Sequence, residues 1–174
     1  GFAYEVAGVL GKKVTMPDVS YNKNLEKAKI NLDVKTPLCT MYQACVVKNV
    51  KVGPSPKFIK ERLENAGMRS INNVVDISNY IMLEYVQPLH FFDYDKLGEN
   101  IIVREASDGE QITTLDGIER ILTKDDIVIC DKEKPVAIAG VVGGESTEVL
   151  ESTKNILIES AIFNPLNVRY TSIR

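Results

Sequence analysis

The chain has 174 residues, a formal charge of −3, 44% hydrophobic and 26% charged residues. That balance suits one folded domain of ordinary or slightly large size and excludes a disordered chain. It also argues against a free-standing nucleic-acid binder, whose basic surface must displace counterions from phosphates, though not against a module that handles one end of a nucleic acid held elsewhere.

No apolar run approaches the ~20 residues of a membrane span. The opening GFAYEVAGVLGKK lacks a basic start followed by a small-residue cleavage site, so no secretory signal is expected. Starting on glycine and stopping at Arg174, the sequence reads as cut from something longer. Cys39, Cys45 and Cys130 are odd in number, lack metal-ligand spacing and lie in apolar runs. They are expected to be buried free thiols in a reducing, cytoplasmic setting.

Phe2 to Leu10 reads as the end of a helix, and Gly11 to Thr36, polar and lysine-rich, as a linker or an arm. Cys39 to Val52, rich in Val, Tyr, Thr and Cys, is expected to be strand. Pro54-Ser55-Pro56 opens a helix, with Ser55 as cap and Pro56 in the first turn. Phe58, Ile59, Leu63 and Ala66 form its inward stripe, and Gly67 stops it.

A second helix follows from about Asn73 to Tyr85. Val74, Ile77, Ile81 and Tyr85 share one face, while Asn72, Asp76 and Asn79 form a short polar stripe of the kind that faces a site or a buried network. From Leu89 onward short strands are expected, at Ile101–Arg104, Gln111–Thr114, Arg120–Leu122, Ile127–Cys130 and Val136–Ala139. Asp108-Gly109 and Asp116-Gly117 are hairpin turns among them. A strand at Ile156–Glu159 leads through Asn164-Pro165 into a last short helix. Helices followed by a run of hairpins indicate an α+β fold, two helices packed on a mostly antiparallel sheet.

Three features invite chemistry. The glycine-rich GVVGGE has neither dinucleotide-binding nor P-loop spacing. It is either a close approach of two backbones or a source of N–H groups for a ligand carbonyl or hydroxyl. The only histidine, His90, lies between leucine and two phenylalanines, just past the Gln87-Pro88 break that ends the second helix. With no triad signature and no second histidine, it is a core residue or a polar, water-orienting contact. Glu159 puts a carboxylate inside the apolar ILIESAIF. It alternates outward to solvent, or it is buried and needs a donor, for which Arg69 is a candidate unless that arginine is merely on the surface.

The ordered segments GMRSINNVVDISNY (67–80), QPLHFFD (87–93), AGVVGG (139–144) and ESA (159–161) resemble the central, editing part (B3/B4) of the bacterial phenylalanyl-tRNA synthetase β-subunit family. The likeness covers residues 38–174, with 1–37 as the helix end and arm of a preceding domain. It implies a domain that hydrolyses tyrosine wrongly attached to tRNA(Phe). The full enzyme, an α2β2 heterotetramer by this resemblance, ligates phenylalanine at an ATP- and Mg²⁺-dependent site elsewhere, and this domain itself needs no cofactor. The resemblance implies Glu159 as the acceptor for the tyrosine phenol, and Gly143 and Gly144 as shapers of the slot and backbone donors. It implies His90 and Asn79 as the groups that position water or the terminal ribose, with Arg69 and Ser78 as further contacts. It further implies that a pocket-completing segment lies past Arg174. Ser70 and Phe91 depart from the family pattern, which there often has proline and alanine. The alternative is a non-catalytic structural or tRNA-docking module of the same subunit.

Overall fold

The structure, a computed structural model, describes residues 1–21 and 25–174. Residues 22–24 of the predicted Gly11–Thr36 linker or arm therefore lie outside the described residues. The described chain is α+β: five α-helices and ten strands, with one parallel strand pair and antiparallel pairing elsewhere.

The helices are α1 (Phe2–Val9), α2 (Lys57–Asn65), α3 (Asn73–Tyr85), α4 (Tyr94–Leu97) and α5 (Pro165–Ser172). Strands β2 (Cys39–Val47), β10 (Ile156–Phe163) and β3 (His90–Asp93) form a three-stranded sheet in that order. A five-stranded sheet runs β1 (Asn31–Val34), β4 (Asn100–Glu105), β7 (Ile127–Cys130), β8 (Pro135–Ile138), β9 (Val142–Gly143). Strands β5 (Gln111–Thr113) and β6 (Glu119–Ile121) make a separate hairpin.

The core explains this layering. Alternating residues of β4 and β7, Ile101, Val103, Ile127 and Ile129, join Phe92 and Leu157 of the three-stranded sheet in one cluster. Val128, Cys130 and Ile138 on the opposite face meet Ala106, Ile112 and Leu122 under the β5–β6 hairpin. Strand β7 is therefore covered on both sides, which is why its IVIC run is buried throughout.

Several expectations give way to tertiary packing. The predicted linker contributes β1, which pairs in parallel with β4. Helix α2 has no side-chain cap, because it starts at Lys57 with Pro56 in the cap position, while the Ser55 hydroxyl donates to the Asp76 carboxylate. Only Ile59 and Leu63 of its predicted stripe are buried, while Phe58 and Ala66 are exposed. On α3, Ile77 and Tyr85 are likewise exposed. Cys45 is exposed, whereas Cys39 and Cys130 are buried free thiols, because Cys45 alternates to the outer face of β2. The polar stripe of α3 does serve a buried network. Asn72 caps the helix through the Val74 and Val75 N–H groups, and Asp76 accepts from Ser55, Ser70 and the Ile71 N–H.

Helix α3 ends on Val86 at φ 59°, a left-handed conformation that a β-branched side chain adopts under strain. The reversal turns the chain into β3 and delivers His90. Val86 is 85% exposed, so replacing it removes no packing. Val86→Gly is expected to raise unfolding stability by about 1 kcal/mol, read from urea denaturation. A loss of stability would show that the left-handed cap is not strained.

Candidate functional site

Strand register assembles the site. In the β3–β10 pairing Glu159 lies directly opposite His90, and in the β2–β10 pairing Ala161 lies opposite Tyr42. Facing partners, and residues two apart on one strand, point to the same side of a sheet. Glu159, His90 and Tyr42 therefore share one face, although they come from segments that are far apart in sequence.

That face borders a hollow of about 460 Å³ whose lining includes His90, Gly143 and Glu159 amid Leu89, Ile138 and Phe163. The volume falls in the range of small-ligand sites, and the lining has their character, apolar with a few polar groups. A second hollow of about 320 Å³ lies between α3 and the segment after β9, lined by Ser78, Leu115, Gly144 and Thr147 among others. His90 belongs to the walls of both.

Glu159 is 5% exposed. Burial pushes its carboxyl up to about 7, against the lowering effect of the Tyr42 hydroxyl, which donates to Oε2 at 2.9 Å. The other buried carboxylates are bonded differently. Asp76 accepts from three donors. Asp93 accepts from the Asp95 and Lys96 N–H groups and Thr153. Asp126 is held by Thr123, Thr171 and Arg174. Burial alone would raise Asp76 and Asp126 too, yet these bonds hold both below the usual carboxylate range. A carboxylate can accept about four hydrogen bonds. Glu159, with one donor among the described residues, is the under-satisfied member of the set.

His90 packs edge-on against Phe92, with ring centroids 4.4 Å apart. Desolvation lowers its pKa to about 4, so the imidazole is neutral at physiological pH. A neutral ring carries one donor and one acceptor nitrogen. Gly143 makes room for it: a Cβ there would sit 2.5 Å from His90 Cε1 and 2.8 Å from Nε2. Gly144 is excluded from carrying a side chain by backbone, since its Cβ would meet the Val136 carbonyl oxygen at 2.6 Å. Two backbones therefore approach closely at Gly144, whereas at Gly143 the close neighbours are the His90 and Leu115 side chains. The Gly144 N–H already donates to Val136 at 2.7 Å.

The remaining candidates are dispersed. The Ser78 hydroxyl lies at the second hollow and donates to the Leu89 carbonyl at 2.6 Å, anchoring the residue before His90. Asn79 and Arg69 line neither hollow. Arg69 is exposed, and the donor found for Glu159 is Tyr42 in its place. Tyr42 had no local signal in the sequence. Its pairing with Glu159 spans 117 positions and depends on register alone.

The chain belongs to the B3/4 domain family, whose model matches residues 38–174. Over nearly its whole length it is similar to the "Phenylalanine--tRNA ligase beta subunit" of two bacteria. With that of Carboxydothermus hydrogenoformans it is 50% identical over 99% of this chain and 22% of the relative. With that of Streptococcus agalactiae it is 47% identical over all of this chain and 22% of the relative. The chain thus spans about a fifth of the length of these curated relatives. Its fold is similar to that of an N-terminal fragment of the phenylalanyl-tRNA synthetase β-subunit from Pyrococcus horikoshii. That match has a TM-score of 0.60 at 16% identity and covers 88% of this chain and 50% of the other.

Two substitutions probe the geometry. Between pH ~4.5 and ~7 the folded protein keeps a proton on Glu159 that the unfolded chain has released, so this carboxyl's contribution declines as pH rises through that window. His90, with its depressed pKa, acts in the opposite sense and is common to both proteins. Glu159→Gln is therefore expected to gain about 2–3 kcal/mol relative to wild type between pH 5 and pH 8, measured by urea unfolding at each pH. A constant difference would contradict the raised pKa. Gly143→Ala is expected to cost about 1–3 kcal/mol and to shift the ring-proton resonance of His90, the only histidine in the sequence. An unmoved resonance would contradict the close approach.

Proposed function

We propose that this chain is an editing module that hydrolyses the ester of tyrosine mistakenly joined to tRNA(Phe), within the β subunit of a cytoplasmic phenylalanine–tRNA ligase. The observation that carries the reading is the buried, under-bonded Glu159 facing His90 on the wall of one apolar hollow. Tyrosine is phenylalanine with one added hydroxyl. An apolar synthetic pocket rejects such an isostere only about a hundredfold. A second site that binds the hydroxyl positively can remove the error. There a phenylalanyl ring would leave the Glu159 carboxylate without its second partner, at the desolvation cost of an unmade bond.

The scissile ester then lies near His90. A neutral imidazole with pKa about 4 is a poor proton acceptor and a good hydrogen-bonding guide for water or a ribose hydroxyl. Water attacks the carbonyl carbon, the terminal ribose oxygen leaves, and no covalent enzyme intermediate is required. Gly143 contributes the space that lets substrate and imidazole meet. Asn79 joins His90 in this reading as a guide for water or the ribose, with Arg69 and Ser78 as further contacts; Asn79 and Arg69 stand outside both hollows, and Ser78 acts through Leu89. ATP and Mg²⁺ belong to the synthetic reaction with the α subunit, outside this chain.

The test uses the assembled αβ enzyme and Tyr-tRNA(Phe). Glu159→Ala is expected to abolish most of the preference for tyrosine over phenylalanine, a loss of about a hundredfold or more. His90→Ala is expected to slow hydrolysis by about 10²-fold. Tyrosine release unchanged in both variants would leave the alternative, a non-catalytic docking module.

A further inference from the structure

We propose that Tyr42 is a positioning residue for substrate selection: its hydroxyl occupies one oxygen of Glu159 and fixes the carboxylate so that the other oxygen faces the hollow, ready for a substrate phenol. This rests on the reading of the hollow as a tyrosine-ester site and assigns a role within it to a residue outside that reading.

The geometry supports it in three ways. First, the Tyr42 ring is seated in the main core with Phe163 and Ala44, so its hydroxyl reaches Glu159 from a fixed position. Second, the 2.9 Å bond ends on Oε2 alone, and Oε1 has no donor among the described residues. A glutamate has three rotatable side-chain bonds, and one anchored oxygen removes most of that freedom. Third, the residue opposite Glu159 on β2 is Ala44, whose small side chain leaves the carboxylate unobstructed. The carboxylate is thus held by one phenol on its core side and offers the same chemistry to a second phenol on its cavity side.

The arrangement also sets the charge of Glu159. The titratable groups facing it are His90 from β3, and Tyr42 and the Cys39 thiol from β2. No lysine or arginine among the described residues forms an ion pair with it. Strands β8 and β9 bring Ala137 and Gly143 to the same hollow, neither of which titrates. Of these neighbours, Tyr42 is the donor that favours the ionised, acceptor-only form.

Tyr42→Phe removes the hydroxyl and keeps the ring, so the core stays filled. The experiment compares wild type, Tyr42→Phe and Glu159→Gln in the assembled αβ enzyme, measuring Tyr-tRNA(Phe) hydrolysis from pH 6 to 9 after subtraction of the uncatalysed rate. Thermal unfolding of each variant is followed alongside. Tyr42→Phe is expected to lower kcat/KM at pH 7 about tenfold, chiefly through KM, and to move the midpoint of its rise with pH upward by about one unit. The rate recovers at alkaline pH, and Glu159→Gln lacks the inflection altogether. A Tyr42→Phe profile that superimposes on wild type while Glu159→Gln is impaired overturns the role of Tyr42 and leaves the site reading standing. A uniform loss at every pH, with no shift of the midpoint, reduces Tyr42 to a packing residue and also overturns it. If Glu159→Gln itself matches wild type, the site reading fails, and the role of Tyr42 with it.

Discussion

The pairing of β3 with β10, which sets Glu159 opposite His90, is the constraint on which the site depends. A slip of β3 by one residue along β10 would turn His90 to the other face of the sheet, away from Glu159. The register is held by burial: Leu157 and Phe92, partners two residues away on the same face, are both fully buried in the main core. Apolar packing therefore fixes the position of a polar pair that would not choose this environment by itself.

The buried carboxylates of this domain form a comparison within one molecule. Asp76, Asp93 and Asp126 each organise a turn or a helix end, and each is surrounded by donors. Their role is structural, because every strong acceptor is matched where it lies. Glu159 sits on a regular strand, organises no turn and meets one phenol hydroxyl. Placing an under-bonded carboxylate against an apolar hollow costs stability. Such a cost is intelligible when a ligand supplies the missing donor.

Two missing side chains allow the close packing beside His90. Gly143 lacks the Cβ that would strike the imidazole, and Gly144 lacks the one that would part β9 from β8. On the α3 side, Ser78 ties the helix to the Leu89 carbonyl, just before the histidine. The imidazole is thus framed by a glycine strand on one side and an anchored helix on the other, and it packs edge-on against Phe92. A partly desolvated, neutral histidine is suited to orienting a reactant and ill suited to carrying a charge.

Much of this was legible in the sequence. Period and turn chemistry gave the α+β class, helix α3 and most strands of the larger sheet, because these are local preferences. The isolation of His90, the glycine pair and the carboxylate in an apolar run marked four residues, of which the fold brings His90, Gly143 and Glu159 to one hollow and Gly144 to its neighbour. Other features were not legible. The strand β1 in an unpromising polar segment exists because β4 offers it an edge. Helix α2 begins one position later than expected, with Pro56 at the cap, and the Ser55 hydroxyl serves the buried Asp76 carboxylate. Tyr42 looked like any strand tyrosine. Sequence by itself determined which side chains were chemically out of place, since polarity and period are written locally. Only the tertiary structure decided which of them meet, because strand pairing across more than a hundred residues is settled by the packing of the whole core.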